Sequence, residues 1–247
     1  MSESMRFFMM RHSYDDDSYI DGKNDTDLTQ EGVQIAKKAA INISSKLGDL
    51  NSVIDLRSGP KKRTIQTLEI LAQQLYADKI PYTITRDNNL VELFQGNMAL
   101  NGLTHYEKVA GLHYAWVAFN QERNAGNFNY HFGQPHPEMR SNFIIPPYGE
   151  TQNEFLLRMA KAFLSVLEQY CNKKSVPFVI SHRGGIREFT NISNALNKNI
   201  EFSKSKVCDI SLLDFCAQRE IEIKDTKNAL DKMRTHVQSL ITSVEQR

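Results

Sequence analysis

Three apolar runs in this chain end in residues that can grip or attack phosphorus. Residues 7–10 lead into Arg11 and His12, residues 52–56 into Ser58 and Arg63, and residues 176–180 into Ser181 and His182. A fourth segment, Leu90-Val91, delivers Glu92. A phosphoryl dianion asks for this set of side chains. Guanidinium groups hold its oxygens in a bidentate fork. A neutral imidazole can attack phosphorus and carry the group covalently. A carboxylic acid can protonate the departing oxygen. Gly184-Gly185, just past His182, opens a helix whose N-terminal amides and dipole add to the anion's hold. With arginines neutralising the charge, the chemistry calls for no metal and no organic cofactor.

For these residues to meet, the apolar runs must be neighbouring strands. Residues 6–10, 53–56, 80–85, 176–180 and 210–215 read as strands. Helical stripes lie between them. Thr29 caps a helix carrying Val33, Ile35, Ala36, Ala39, Ala40 and Ile43, with Gly48 as its stop. Further helices are expected over 61–76, 151–170 and 184–196. The alternation predicts an α/β fold: a three-layer α/β/α sandwich with a mostly parallel, doubly wound sheet. Ligands of such sheets sit outside the carboxyl ends of the strands, where the four clusters fall. Residues 97–148 break the alternation with Asn, His, Tyr, Gly and Pro, and the stretch 132–148 holds four of the seven prolines. So long an irregular stretch points to a lid insertion over the pocket, with one helical piece at 106–121 around Trp116. The division expected is a catalytic domain over 1–217 and a helical tail over 218–247. Leu230, Met233, Val237, Leu240 and Val244 stripe that tail at 3-4-3-4 spacing. The stripe can dock on the core or pair with a second copy in a homodimer; its shortness favours docking.

Composition narrows the partners. A net charge of +1 over 247 residues gives no basic surplus for nucleic acid, so any anion binding is local. Cys171, Cys208 and Cys216 are odd in number and match no zinc or redox spacing, which suits reduced thiols in a cytoplasmic protein. No apolar stretch approaches the length of a membrane span. The expected partner is a small phosphorylated molecule, neither nucleic acid nor membrane.

Taken singly, each residue has a plainer explanation: a strand-end histidine with a satisfied bond, a solvated Arg63 beside Lys61 and Lys62, a surface Glu92. The joint pattern argues otherwise. The chain resembles the histidine phosphatase superfamily, which also holds the cofactor-dependent phosphoglycerate mutases. Arg11-His12-Ser13 resembles its Arg-His-Gly. Asp25 to Gly32 resembles Asp-x-Pro-Leu-Thr-x-x-Gly. Ser58 to Thr67 is similar to Ser-x-Pro-x-x-Arg-[Ala/Thr]-x-Gln-Thr. Leu90-Val91-Glu92 with Gly96, Gly149-Glu150-Thr151 with Arg158, and Ser181 to Arg187 complete six segments in the family's order.

The resemblance implies roles. His12 would be the nucleophile that becomes phosphohistidine. Arg11, Arg63 and His182 would bind the transferred group, and Glu92 would donate the proton. Ser58 and Gly184 would support the substrate pocket. Gly126 to Phe132 is similar to a Gly-x-Phe-x-Tyr-Arg-Phe-Pro segment of several phosphatases in the family, with His131 in the arginine's place. That substitution makes His131 a candidate substrate contact. Ser13 replaces Gly, and an acidic run, Asp15-Asp16-Asp17, follows the nucleophile. The run could repel a polyanion, favour a cationic substrate, or face solvent. Mutases resembling the glycolytic enzymes continue after the acid with Arg-His-Tyr-Gly. This chain reads Leu93-Phe94-Gln95-Gly96, which favours hydrolysis over a mutase. A third reading, from outside the enzymes, is a regulatory module that binds phosphorylated ligands without turnover.

Overall fold

Strand β1 (Met5–Arg11) explains the fold's two cores. Its alternation points Met5, Phe7 and Met9 into one apolar cluster and Phe8 and Met10 toward the other. The computed structural model describes residues 4–15, 25–94, 104–138, 149–173, 175–202 and 214–246. Within them the order is β1, α1 (Gln30–Gly48), β2 (Ile54–Ser58), α2 (Lys62–Ala77), β3 (Tyr82–Arg86), α3 (His105–Asn124), α4 (Gln152–Lys173), β4 (Val176–Ser181), α5 (Arg183–Lys198), β5 (Gln218–Ile223) and α6 (Thr226–Glu245).

The five strands lie in the order β3-β2-β4-β1-β5. All neighbours run parallel except β5, which pairs antiparallel with β1. Helices α1 and α2 cover one face, burying Ala36, Ile43, Leu68 and Leu75 against Leu56, Phe178 and Ile180. Helices α3 to α6 cover the other. There Phe7, Phe163 and Phe189 meet edge-on or tilted, with ring centroids 5.0 to 6.2 Å apart. This is the α/β sandwich expected, with its mostly parallel sheet.

Two expectations need correction. The last strand was placed at 210–215, but residues 214–217 are turn and coil, and the strand is β5 at Gln218–Ile223; residues 210–213 lie outside the described set. The segment from 218 therefore begins with a sheet strand before its helix. In β5 only Ile221 and Ile223 are buried apolar residues; Glu220 and Glu222 alternate outward at the sheet's edge. The second correction concerns the insert. Of the residues in 97–148, 97–103 and 139–148 are not described. Helix α3 buries Leu112, Ala115, Ala118 and Phe119 in the main core, so it is an integral part of the domain's packing. Its Arg123 forks onto Glu188 of α5 at 2.8 and 3.0 Å.

The tail stripe docks rather than standing free: Ala229, Met233, Val237 and Leu240 of α6 are buried in the cluster that α4 contributes to. Among the described residues no helix is long and apolar enough to cross a membrane.

Candidate active site

The sheet's register brings the two histidines together. Strands β1 and β4 are neighbours, and Arg11 pairs with Ser181. His12 and His182 are the residues just past the end of each strand, so they leave the carboxyl edge side by side. The His12 amide donates to the Ser181 carbonyl at 3.0 Å, and the two rings meet edge-on with centroids 5.0 Å apart. This is where chain order reverses across the sheet, the switch point at which α/β sheets bind ligands.

The loop carrying His12 is held from below by residues of the next two motifs. The Ser13 amide donates to Thr67 Oγ1 at 3.0 Å, and the Ser13 hydroxyl to the Gly32 carbonyl at 2.6 Å. Gly32 has no alternative there, since a Cβ would run into the Tyr14 carbonyl. Thr29 caps α1, accepting from the Gly32 amide at 3.0 Å. Gln66 Oε1 accepts from the Leu28 amide at 2.7 Å, joining α2 to this segment. The Thr29, Gly32, Gln66 and Thr67 positions thus act as the mount for His12.

His12 has a defined tautomer. Its Nδ1 lies 2.7 Å from the Ser13 carbonyl, an acceptor only, so Nδ1 carries the proton and Nε2 keeps the lone pair. Burial, reinforced by the positive charges of Arg63, Arg11 and Arg183, pushes its pKa down to about 3. The ring is therefore a neutral nucleophile across the physiological range. His182 is buried and held well below the ordinary histidine range by desolvation, then by His12 and Arg63.

Arg63 reaches this pair from the first turn of α2. Its Nη2 lies 3.4 Å from His182 Nδ1 and its Nε 3.6 Å from Asp15 Oδ2. A guanidinium can only donate, so His182 Nδ1 accepts and His182 Nε2 bears the proton. Among the described residues, Arg63 Nη1 and His182 Nε2 are buried without a hydrogen-bond partner. Two buried donors beside a neutral nucleophile suit a tetrahedral oxyanion. Arg11 borders the site: its guanidinium stacks 3.8 Å over Phe215, whose ring lies 5.8 Å from His12.

Glu92 comes from the loop after a short 3-10 turn at Asn88–Leu90. Its Oε2 lies 3.5 Å from His182 Nδ1, and its side chain stays 26% exposed, so it bridges the buried pair and solvent. A Cβ on Gly184 would come within 3.0 Å of Glu92 Oε1, so glycine makes room for the carboxylate at the start of α5. The loop hangs on Arg158 of α4, which donates to the carbonyls of Asn89, Val91 and Glu92 at 2.8, 2.7 and 3.3 Å. Glu150 clamps that guanidinium at 2.7 and 2.9 Å and takes the Phe94 amide at 3.2 Å.

Two expected substrate contacts are placed differently. The Ser58 hydroxyl donates to the Gly59 carbonyl at 3.1 Å and accepts from Arg86, so it braces the β2–α2 turn. His131 Nδ1 faces the Gly149 carbonyl at 2.9 Å, and His131 bridges Thr151, closing the insert's return to α4. Sequence reading also missed Phe215 and the buried pair Arg57–Asp55 on β2, whose Arg57 donates onward to Ser165 at 2.9 Å. A charged pair at i,i+2 shares one strand face, but nothing in the sequence says that face is buried.

With this geometry in hand, the comparisons with known proteins fall into place. The pattern of the histidine phosphatase superfamily (branch 1) matches residues 7–233, and the chain belongs to that family. No curated protein sequence matches it. Among solved structures, a mycobacterial glucosyl-3-phosphoglycerate phosphatase superposes with TM-score 0.57 at 17% identity, covering 89% of this chain and 91% of that one. A phosphoglycerate mutase from Bacillus anthracis gives 0.56 at 14%, covering 94% and 98%. A phosphoserine phosphatase from Entamoeba histolytica, solved with 3-phosphoglyceric acid, gives 0.51 at 17%, covering 87% and 89%. At such identities these likenesses establish the shared fold alone.

Proposed function

We propose that this protein is a metal-independent phosphatase that hydrolyses small phosphomonoesters through a phosphohistidine on His12. The observation that carries the reading is the neutral His12, its proton fixed on Nδ1 by the Ser13 carbonyl, beside two buried unpartnered donors, Arg63 Nη1 and His182 Nε2. In the first step the His12 Nε2 lone pair forms a bond to phosphorus while the ester P–O bond breaks. Arg63 and His182, with Arg11 at the border, balance the charge on the non-bridging oxygens. The α5 N-terminus adds its amides. Glu92, as the acid, gives its proton to the departing oxygen. In the second step water attacks phosphorus, the P–N bond breaks with its electrons returning to Nε2, and Glu92 takes the proton from water.

Hydrolysis is favoured over transfer because the segment after Glu92 lacks the Arg-His-Tyr-Gly of glycolytic mutases. The partially exposed Glu92 also leaves a route for water to the phosphoenzyme. Purified protein should turn over p-nitrophenyl phosphate, be inhibited by vanadate, and keep its activity in a chelator. Full turnover in a His12→Ala variant would end this reading, and so would phosphoryl transfer between phosphoglycerates without release of inorganic phosphate.

A further inference from the structure

Asp15 sits behind the proposed nucleophile. Its Oδ1 lies 3.8 Å from His12 Nδ1, the ring nitrogen that does not attack. The side chain is only 6% exposed. It is held in place from two directions: Thr26 Oγ1 donates to Oδ2 at 2.8 Å, and Arg63 Nε lies 3.6 Å from the same oxygen. A backbone bridge between Asp15 and Leu28 fixes the main chain at this point. The groups facing it in these contacts are therefore the His12 imidazole, the Arg63 guanidinium and the Thr26 hydroxyl. Of the acidic run 15–17, this is the residue the structure describes, and it points inward.

We infer that Asp15 is a positioning residue whose negative charge stabilises the cationic ring formed when His12 is phosphorylated. This rests on the proposed phosphohistidine chemistry. The neutral imidazole carries its proton on Nδ1 and its lone pair on Nε2. When Nε2 bonds to phosphorus, the ester oxygen leaves with the electrons of the P–O bond and takes a proton from Glu92. The Nδ1 proton stays on the ring, bonded to the Ser13 carbonyl, so the ring becomes an N-phosphoimidazolium with a positive charge. Ser13 supplies a dipole to that charge; Asp15 supplies a full counter-charge 3.8 Å from Nδ1, about 1 Å beyond hydrogen-bond contact. Because the charge appears only as the P–N bond forms, Asp15 favours the transition state over the resting enzyme, which is the condition for raising a rate. Its second contact divides the work of Arg63. With Nε turned to Asp15 and Nη2 to His182, Nη1 is the edge left toward the phosphoryl group.

The arrangement also answers how an anion site tolerates a carboxylate. Asp15 meets His12 at Nδ1 and not at the attacking Nε2, and the Arg63 guanidinium beside it carries the opposite charge. It therefore speeds the covalent step without competing for the substrate. A carboxylate that merely repelled anions would do the reverse.

The test is rapid-quench single turnover with a radiolabelled phosphomonoester, comparing the wild type with Asp15→Asn, Asp15→Ser and Thr26→Val. Asp15→Asn keeps the shape and an oxygen for Thr26 while removing the charge. Its rate of His12 phosphorylation should fall roughly tenfold to a hundredfold. The inhibition constant of inorganic phosphate should stay constant or tighten, and the phosphoenzyme, once formed, should decay at least as fast as in the wild type. Asp15→Ser should behave alike, and Thr26→Val, which keeps the charge, should phosphorylate within about threefold of the wild type. An unchanged or faster phosphorylation in the two Asp15 variants overturns the inference. So does a loss matched by an equal weakening of phosphate binding and reproduced by Thr26→Val, since that pattern belongs to a merely structural loop residue. If the wild type itself forms no phosphohistidine, the proposed function falls and takes this inference with it; if it does and only the Asp15 variants are indifferent, the inference alone falls.

Discussion

The two sides of the pocket are built on different principles. The His12–His182 floor is set by sheet register: Arg11 pairs with Ser181, and both histidines follow from backbone hydrogen bonds that many residues share. The Glu92 wall lies outside the sheet. Its loop packs through Leu90 and Leu93 and hangs on Arg158, which bonds to the Asn89, Val91 and Glu92 carbonyls and is clamped by Glu150. The floor should therefore tolerate changes in its surroundings, while the wall should fail when one side chain is lost. In the proposed chemistry, the positions that would grip the transferred group are the rigid ones, and the position that would give and take a proton is the separable one.

The largest effect expected from breaking this contrast is on the wall. Arg158→Leu removes the donor to the Asn89, Val91 and Glu92 carbonyls and leaves the part-buried Glu150 without its guanidinium. Burial already pushes the Glu150 carboxyl up, with Arg158 pulling it back, so the lone acid would take a proton. Loss of this part-buried pair costs about 1–3 kcal/mol of stability, readable as a shift in the urea midpoint. At low temperature, where the variant remains folded, kcat should fall while phosphate still binds, because Arg158 makes none of the hydrogen bonds described at His12, His182 and Arg63.

Glu92→Gln tests the wall's chemistry without its architecture. With alkyl phosphates, whose leaving oxygens need a proton, kcat should fall roughly 10²- to 10⁴-fold. With p-nitrophenyl phosphate, whose leaving group departs as the anion, the loss should be far smaller. Equal losses with both substrates would remove Glu92 from the role of acid.

The floor has a signature in pH. His12 titrates near 6.5 when exposed and at about 3 in the folded chain, so the unfolded state binds more protons between those values. Stability then rises with pH across the window, and is lost as pH falls from 6.5 toward 3. His182 shifts the same way. His12 should account for roughly 1.5 kcal/mol between pH 6.5 and 5, since each pKa unit is worth about 1.36 kcal/mol and the exposed ring is already half protonated at pH 6.5. Urea unfolding at those two pH values should show this slope, and His12→Gln should flatten it. A slope unchanged by the substitution would mean that the imidazole is not desolvated.

The contrast between floor and wall also explains what could be read from the sequence. The floor was legible because its residues sit at the ends of contiguous apolar runs, and because Thr29, Gly32, Gln66 and Thr67 fall in the two segments that resemble the family's motifs. Their purpose was not: only coordinates reveal that Gly32 clears the Tyr14 carbonyl and that Thr67 holds the Ser13 amide. Strand β5 escaped because Gln-Arg-Glu-Ile-Glu-Ile exposes every second residue at a sheet edge, while the more apolar residues just before it drew the assignment. Helix α3 was seen as a helical piece of a lid, yet its packing into the main core through Ala115, Ala118 and Phe119 depends on partners far along the chain. Ser58 and His131 were chosen by motif position, and in the structure their polar atoms are engaged in bracing the turn and the insert. Motif position locates a residue in the fold; its hydrogen bonds decide what it does there.

The central claim is that His12 carries the phosphoryl group. Mixing the protein with a ³²P-labelled phosphomonoester and quenching in alkali within milliseconds tests it most directly. The account predicts a label that is stable in alkali, released by mild acid, mapped to the peptide containing His12, and absent from His12→Ala. A wild-type enzyme that hydrolyses the ester with no such label, or a label that persists in the His12→Ala variant, would contradict it.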